Sequence, residues 1–237
     1  MPYCPECGTE IDENDEVCSN CGSRISSSSP APAGDVDAVG HLTTAFNLAM
    51  AQPMVFIPAI LGGVISSVLS WIATRLGFVA ASFGFFRGFA IFTAIFGMIG
   101  AFFVYILGFA TIDMGRDAYY NRSLSLGESI GYVTGRLVDF IIASVVGAIL
   151  GITVILIPVV SLMFVVMVMD EVGVGTALSK SFNVITADLG DIVIVILVSI
   201  IGSALLGYVP VISGLLKSAL TVVINLAFID IYHHYRS

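Results

Sequence analysis

Charged side chains are scarce. The chain of 237 residues holds 9 Lys or Arg and 17 Asp or Glu, 11% of the total, against roughly 25% in soluble domains. So thin a coat cannot cover a water-soluble domain, which excludes a soluble enzyme or a nucleic-acid-binding module as the whole molecule. Cysteine is absent beyond residue 21, and the chain has 3 His and 1 Trp. With 24 Gly, 8 Pro and no fixed glycine period, a collagen-like rod is excluded. Neither an H-E-x-x-H helix nor a phosphate-cradling glycine loop is present, so the chain is expected not to be an enzyme. What fills the space is hydrophobic, 57% of residues, with a mean hydropathy of +1.02. That composition predicts an all-α membrane protein with several spans.

The little charge present is lopsided. Glu6, Glu10, Asp12, Glu13, Asp15, Glu16, Asp35 and Asp37 face only Arg24, so all but one unit of the net charge of −8 lies in the first forty residues. An acidic tail repels phosphate and anionic headgroups, which argues against nucleic acid as a partner and holds the tail off the lipid surface. Residues 1–24 read as a head. Residues 25–40 are rich in Ser, Pro, Ala and Gly without apolar periodicity, and read as a flexible linker. Residues 41–237 read as the membrane domain. No basic region precedes an early apolar run, so no secretory signal is expected.

Six apolar spans are predicted, near 54–73, 89–112, 138–156, 157–170, 192–212 and 215–233. Twenty residues at ~1.5 Å each just cross a hydrocarbon core of ~30 Å. The third and fourth spans share one run, 137–169, in which Pro158 removes a helix hydrogen bond and favours a break; the alternative is a single kinked helix. The last two are separated by a Ser213–Gly214 turn. With six spans and an inward N-terminus, Arg24, Arg116, Arg122, Arg136, Lys180 and Arg236 lie inside, against Arg75, Arg87 and Lys217 outside. Five spans would divide the cations almost evenly. The positive-inside tendency therefore favours six spans in a cell membrane, with both termini cytoplasmic.

Three amphipathic stripes precede paired spans: Leu42, Phe46 and Met50; Leu126, Ile130, Val133 and Leu137; Val174, Leu178, Phe182 and Ile185. Each predicts a helix lying flat in the inner lipid interface, and Ser125-x-x-Glu128 spells a capping box for the second. The chain thus reads as three units, each an interfacial helix followed by a hairpin, starting near 42, 125 and 175 at uneven spacing. His41 reads as a solvated interfacial residue. His233 and His234, beside Tyr232, Tyr235 and Arg236, read as an interfacial anchor. Asn225, the single mid-span amide, is expected to face another helix, and Gly97-x-x-Gly100 and Gly147-x-x-x-Gly151 to mark close crossings. Pro53, Pro58, Pro158 and Pro210 are expected to kink their helices.

Cys4-Pro-Glu-Cys7 and Cys18-Ser-Asn-Cys21 form two C-x-x-C pairs separated by ten residues. Four thiolates close a tetrahedron, so one structural Zn²⁺ with Cys4, Cys7, Cys18 and Cys21 as ligands is predicted. Gly8 and Gly22 follow the second Cys of each pair, where glycine lets the backbone turn tightly and aim N–H groups at the sulfurs. So short a segment has no core of its own, and the ion has to supply its folding energy. An Fe–S site or two disulfides are the rival uses of the same residues. Disulfides need an oxidising compartment, at odds with an inward-facing head.

This head resembles the short zinc ribbons, CPxCG…CxxCG, at the ends of many archaeal and bacterial membrane and regulatory proteins. That resemblance implies an interaction module. Further along, Pro158 stands in the paired apolar run, Asp170 and Glu171 close it, and Gly175-x-Ala177-Leu178-x-x-Ser181 precedes the next span. These features, with fainter likeness over 124–136, resemble the six-span membrane domain sometimes fused to glycerophosphodiester phosphodiesterases. The pattern departs at Ala187-Asp188-Leu189-Gly190-Asp191, where that family has a basic-Gly-aromatic stretch. The resemblance implies the six-span architecture and no activity. The function expected is that of a non-enzymatic, multi-pass membrane protein whose cytoplasmic zinc ribbon binds an unidentified protein partner or drives assembly. Association with further copies of itself is left open. Two alternatives stand beside it: a small permease or lipid-interacting transporter, and a membrane enzyme built on the inner-face acids Asp170, Glu171 and Asp230.

Overall fold

A computed structural model describes residues 37–83, 86–153, 156–208 and 213–236. The cysteine-rich head, most of the linker and Pro210 lie outside them. Nine α-helices are found among the described residues: α1 (Ala38–Ala51), α2 (Ile57–Ser82), α3 (Phe86–Tyr119), α4 (Leu126–Gly135), α5 (Leu137–Gly151), α6 (Ile157–Met169), α7 (Val174–Ala187), α8 (Leu189–Leu206) and α9 (Ser213–Arg236). A short 3-10 turn, Pro53–Phe56, leads into α2. The all-α membrane fold expected from composition is the one found.

Local chemistry explains where these helices begin. Asp37 caps α1 by accepting the Gly40 N–H at 2.8 Å, and Ser125 caps α4 through the Glu128 N–H at 3.4 Å, the serine half of the capping box. Pro53, Pro58 and Pro158 occupy the first or second positions of their helices. Their missing N–H has no partner to lose there, so they start helices instead of kinking them. Pro158 does divide the run 137–169: α5 ends at Gly151 and α6 begins at Ile157, giving two helices and not one bent one. They run antiparallel. Arg136, just before α5, donates to the carbonyls of Met167 and Val172 at the far end of α6, at 3.3 and 2.8 Å. Near the tip, a Cβ on Gly147 would stand 2.9 Å from Val160 Cγ1, so only glycine admits this approach. A Cβ on Gly100 would make ordinary contact with Ser66 at 3.6 Å, and one on Gly97 or Gly151 would meet nothing within 4 Å. Half of each small-residue pair marks a crossing.

Of the six apolar segments expected, four are long helices and the third and fourth form a short hairpin. α2, α3, α8 and α9, of 26, 34, 18 and 24 residues, are long and apolar enough to cross, and α4 with α5 counts as a fifth only as a span bent by 73°. α5 and α6 have 15 and 13 residues, about 22 and 20 Å at ~1.5 Å each, short of a ~30 Å core. Helix ends also move. α2 carries Arg75 inside it, α3 runs on past Asp113, and Ser213 and Gly214 open α9 instead of forming the turn before it. Trp71, Phe78, Met98, Ile149 and Ile200 point outward, the surface that lipid covers and water would penalise.

Helix α9 is the central post. Of its most apolar stretch 44% is buried, against 11–17% in the other three long helices, and it packs on α1, α2, α3, α6 and α8. Buried side chains gather in 106–118 of α3, 159–169 of α6 and 222–232 of α9, at the end where the three interfacial helices pack.

Those three helices split the expected stripes: Val133 is buried, and Leu42, Ile130, Leu137, Val174, Leu178 and Ile185 pack partly buried against the core. α1 buries Ala38, His41, Ala45 and Ala49; α4 buries Ser129 and Val133; α7 buries Ala177, Ser181 and Val184. Phe46, Met50 and Phe182 stay exposed. Small residues let each helix lie close on its neighbour while these three aromatic or long side chains remain for the lipid interface. The neighbour follows a rule: α4 lies on α3, α7 on α6, and α1 on α9. Each interfacial helix therefore covers the last helix of the preceding unit, and α1 closes the ring. Each interfacial helix ends on a single non-helical residue that leads into the next element: Gln52 (φ −127°), Arg136 (φ −114°) or Asp188 (φ −138°). α3 and α6 end on the same left-handed turn, Asn121 (φ 53°) and Glu171 (φ 55°), the C-terminal position where non-glycine residues are uncommon. Leu42-Thr43-Thr44-Ala45-Phe46-Asn47 in α1 answers Leu178-Ser179-Lys180-Ser181-Phe182-Asn183 in α7. The three units share one order of elements and one packing rule.

Candidate functional site

In each unit a buried or nearly buried aspartate lies at the end covered by the interfacial helices. Asp113 in α3 lies beside Ser129 of α4, Asp170 after α6 pairs with Lys180 of α7, and Asp230 in α9 pairs with His41 of α1. What answers the negative charge differs from one to the next.

At Asp113 the answer is Arg116, one turn on, 2.8 Å away and itself buried. The same guanidinium donates to the Val168 carbonyl at 3.0 Å and to Glu171 Oε1 at 3.1 Å, and stacks over Tyr132. It ties α3 to the end of α6. Removing such a buried partner leaves an uncompensated charge, which is why pairs of this kind hold helices together. Asp170 gathers Lys180, the Tyr232 hydroxyl at 2.6 Å and Arg236 Nη1 at 2.6 Å. Burial works to raise the Asp170 pKa, but the three donors outweigh it and hold the carboxyl below its ordinary range.

Asp230 is buried and lacks a fixed cation among the described residues. His41 Nδ1 lies 2.7 Å from Oδ2, the Tyr119 hydroxyl donates to Oδ1 at 2.6 Å, and His234 Nδ1 stands 3.6 Å from Oδ1. The rings of His41 and His234 meet edge to face with centroids 5.2 Å apart. His41 is therefore not the solvated residue expected: it is 2% exposed. His234 is half in water, and His233 packs on Tyr119 and Tyr120, so the expected anchor is partly right for His233 and incomplete for His234. The sequence signal for His41 was its place on the Ala38, Ala45, Ala49 stripe, a polar residue on a small-residue face.

Asp170, Glu171 and Asp230 reach the same end of the bundle but not a common point. Each is bound to its own partners. The spelling Gly127-Glu128-Ser129-Ile130-Gly131 matches a nucleophile elbow, which the sequence reading missed. It lies within helix α4, with Ser129 buried, and not on the strand–turn–helix such an elbow needs. It is a coincidence of composition.

Two cavities flank α9 within the span region. One of about 370 Å³ lies between α2, α3 and α9 and is bordered by Ser66, Ser67, Thr111, Ser218, Thr221 and Asn225. The other, about 280 Å³, is bordered by Tyr105, Ser144, Phe164 and again Asn225. Asn225 thus borders both cavities instead of serving only to join two helices.

The four cysteines lie outside the described residues, and their support comes from comparison. Residues 3–25 match the zinc-ribbon domain family. The ribbon match takes in Cys4, Cys7, Cys18 and Cys21, a donor set of four thiolates suited to zinc. It covers a small part of the chain. No curated protein and no solved structure matches.

Proposed function

We propose that this chain is a non-enzymatic, multi-pass membrane protein whose zinc ribbon, projecting into the cytoplasm, recruits or assembles a protein partner. The observation that carries the reading is the ribbon match at 3–25, joined through a Ser/Pro/Ala-rich linker to an apolar helical body. One Zn²⁺ held by Cys4, Cys7, Cys18 and Cys21 would be structural, because four protein ligands leave no open position for a substrate. Support for the non-enzymatic part comes from Asp170 and Asp230, whose carboxylates accept local hydrogen bonds, and from Asp113, which is ion-paired with Arg116. Both termini on one side follows from an even number of crossings. The short α5–α6 hairpin returns to the side it left whether it crosses fully or dips in, so four or six spans agree. The likeness of 158–202 to the membrane domain fused to glycerophosphodiester phosphodiesterases accords with this architecture and adds no reaction.

The test is affinity capture from detergent-solubilised membranes with the intact chain and with a Cys4→Ser, Cys7→Ser variant. The variant is expected to lose a specific partner. Identical partner sets contradict the reading.

A second reading, binding of a membrane-soluble ligand, is favoured by the cavity between α2, α3 and α9. Its border offers hydroxyls and one amide but no charge, the chemistry of an uncharged, hydrogen-bonding lipid.

A further inference from the structure

The three units set up a comparison that singles out one of them. At the end of the bundle that they share, Asp113 is answered by Arg116, and Asp170 by Lys180 and Arg236. Asp230 is answered by two imidazoles and a phenol, with no Lys or Arg among the described residues. A buried carboxylate without a cation is costly unless something else supplies positive charge. The geometry points to a divalent transition-metal site built from His41, Asp230 and His234.

One ligand atom from each of these three residues lies within 4.8 Å of the other two. Two metal bonds of ~2.1 Å in a tetrahedron hold their ligand atoms ~3.4 Å apart, close to the 3.6 Å between His234 Nδ1 and Asp230 Oδ1; Nδ1 donates to the Asp230 carbonyl at 3.0 Å in this structure, a bond and proton it gives up when it takes the ion. The 2.7 Å contact of His41 Nδ1 with Asp230 Oδ2 opens when the ion takes the place of the shared proton and His41 carries its proton on Nε2. A second set, His41 with Asp188 and Asp191, satisfies the same spacing. Those carboxylates either extend the coordination or accept the outward N–H of His41, the arrangement that orients a metal-bound imidazole. Two imidazoles with one carboxylate select zinc-like or cobalt-like ions over magnesium and calcium, which prefer oxygen alone. His234 is 39% exposed at the side chain, so an ion has a way in from the water. The site is separate from the ribbon and requires nothing of it.

The two classes of site differ in colour when cobalt fills them. The full chain, purified without a histidine tag and stripped of metal, is titrated with Co²⁺ and followed by absorption. Thiolate sites give a sulfur-to-metal charge-transfer band; a His₂Asp site gives only the weaker visible bands. Two ions per chain are expected, one of each kind. His234→Gln and His41→Gln are expected to weaken the second by at least about tenfold while leaving the charge-transfer band unchanged. His234 lies at the surface end of α9, so its variant keeps the test decisive even where the buried His41→Gln chain fails to fold. A single thiolate-bound ion per native chain, or a second ion bound as tightly by His234→Gln, overturns the proposal.

Discussion

Asp170 joins three helices through one carboxylate: Lys180 from α7, and Tyr232 and Arg236 from α9. Its pKa is lowered on folding, so the stability it contributes is present above the unfolded carboxyl range and is lost as pH falls through the lower folded value. Asp170→Asn is therefore expected to melt below the native chain at neutral pH, with a deficit that shrinks on acidification below about pH 4. Thermal unfolding in detergent across that range checks this, and a deficit that does not change with pH contradicts it. At this scale the sequence showed only part of the picture. Asp170, Glu171 and Asp230 were legible as acids at span ends, because apolar runs stop there. His41 was not, because its partner Asp230 lies 189 positions away and no local pattern links them. Arg116 was legible as a cation but not as a buried one, since its partners come from two helices that only the fold brings together.

Among elements, periodicity carried most of the reading. The three interfacial helices and the long apolar helices occur where the patterns placed them, because a 3.6-residue stripe or an unbroken apolar run leaves few other ways to satisfy the backbone in lipid. The faces were harder. Within one stripe Phe46, Met50 and Phe182 are exposed while Val133 is buried and Leu42, Leu178 and Ile185 pack partly buried on the core, and periodicity alone does not divide them. Proline also has two uses, and only position within the helix tells a kink from a start. Asn225 shows the same limit: a mid-span amide reads equally as helix glue or as a cavity wall. Its role is checked by melting the full chain with and without a diacylglycerol, an uncharged lipid with a free hydroxyl. A higher melting temperature is expected for the native chain and a smaller rise for Asn225→Leu; equal rises, or none, contradict lipid binding in this cavity.

For the molecule as a whole, three units of interfacial helix plus hairpin explain why the core lies at one end. Each interfacial helix covers its neighbour's last helix there, and each unit adds an aspartate to the same layer. The units differ in length, with the middle hairpin short for an ordinary core, so their starts near 42, 125 and 175 are unevenly spaced. The proposed topology has an even number of crossings and both termini in the cytoplasm. Protease accessibility of tags at both ends of the full chain, in sealed right-side-out and inverted vesicles, tests this most directly. Both tags are expected to be cut only in inverted vesicles, with the body retained in the membrane. Cutting of one tag from each side, or release of the chain into the aqueous phase, would contradict it.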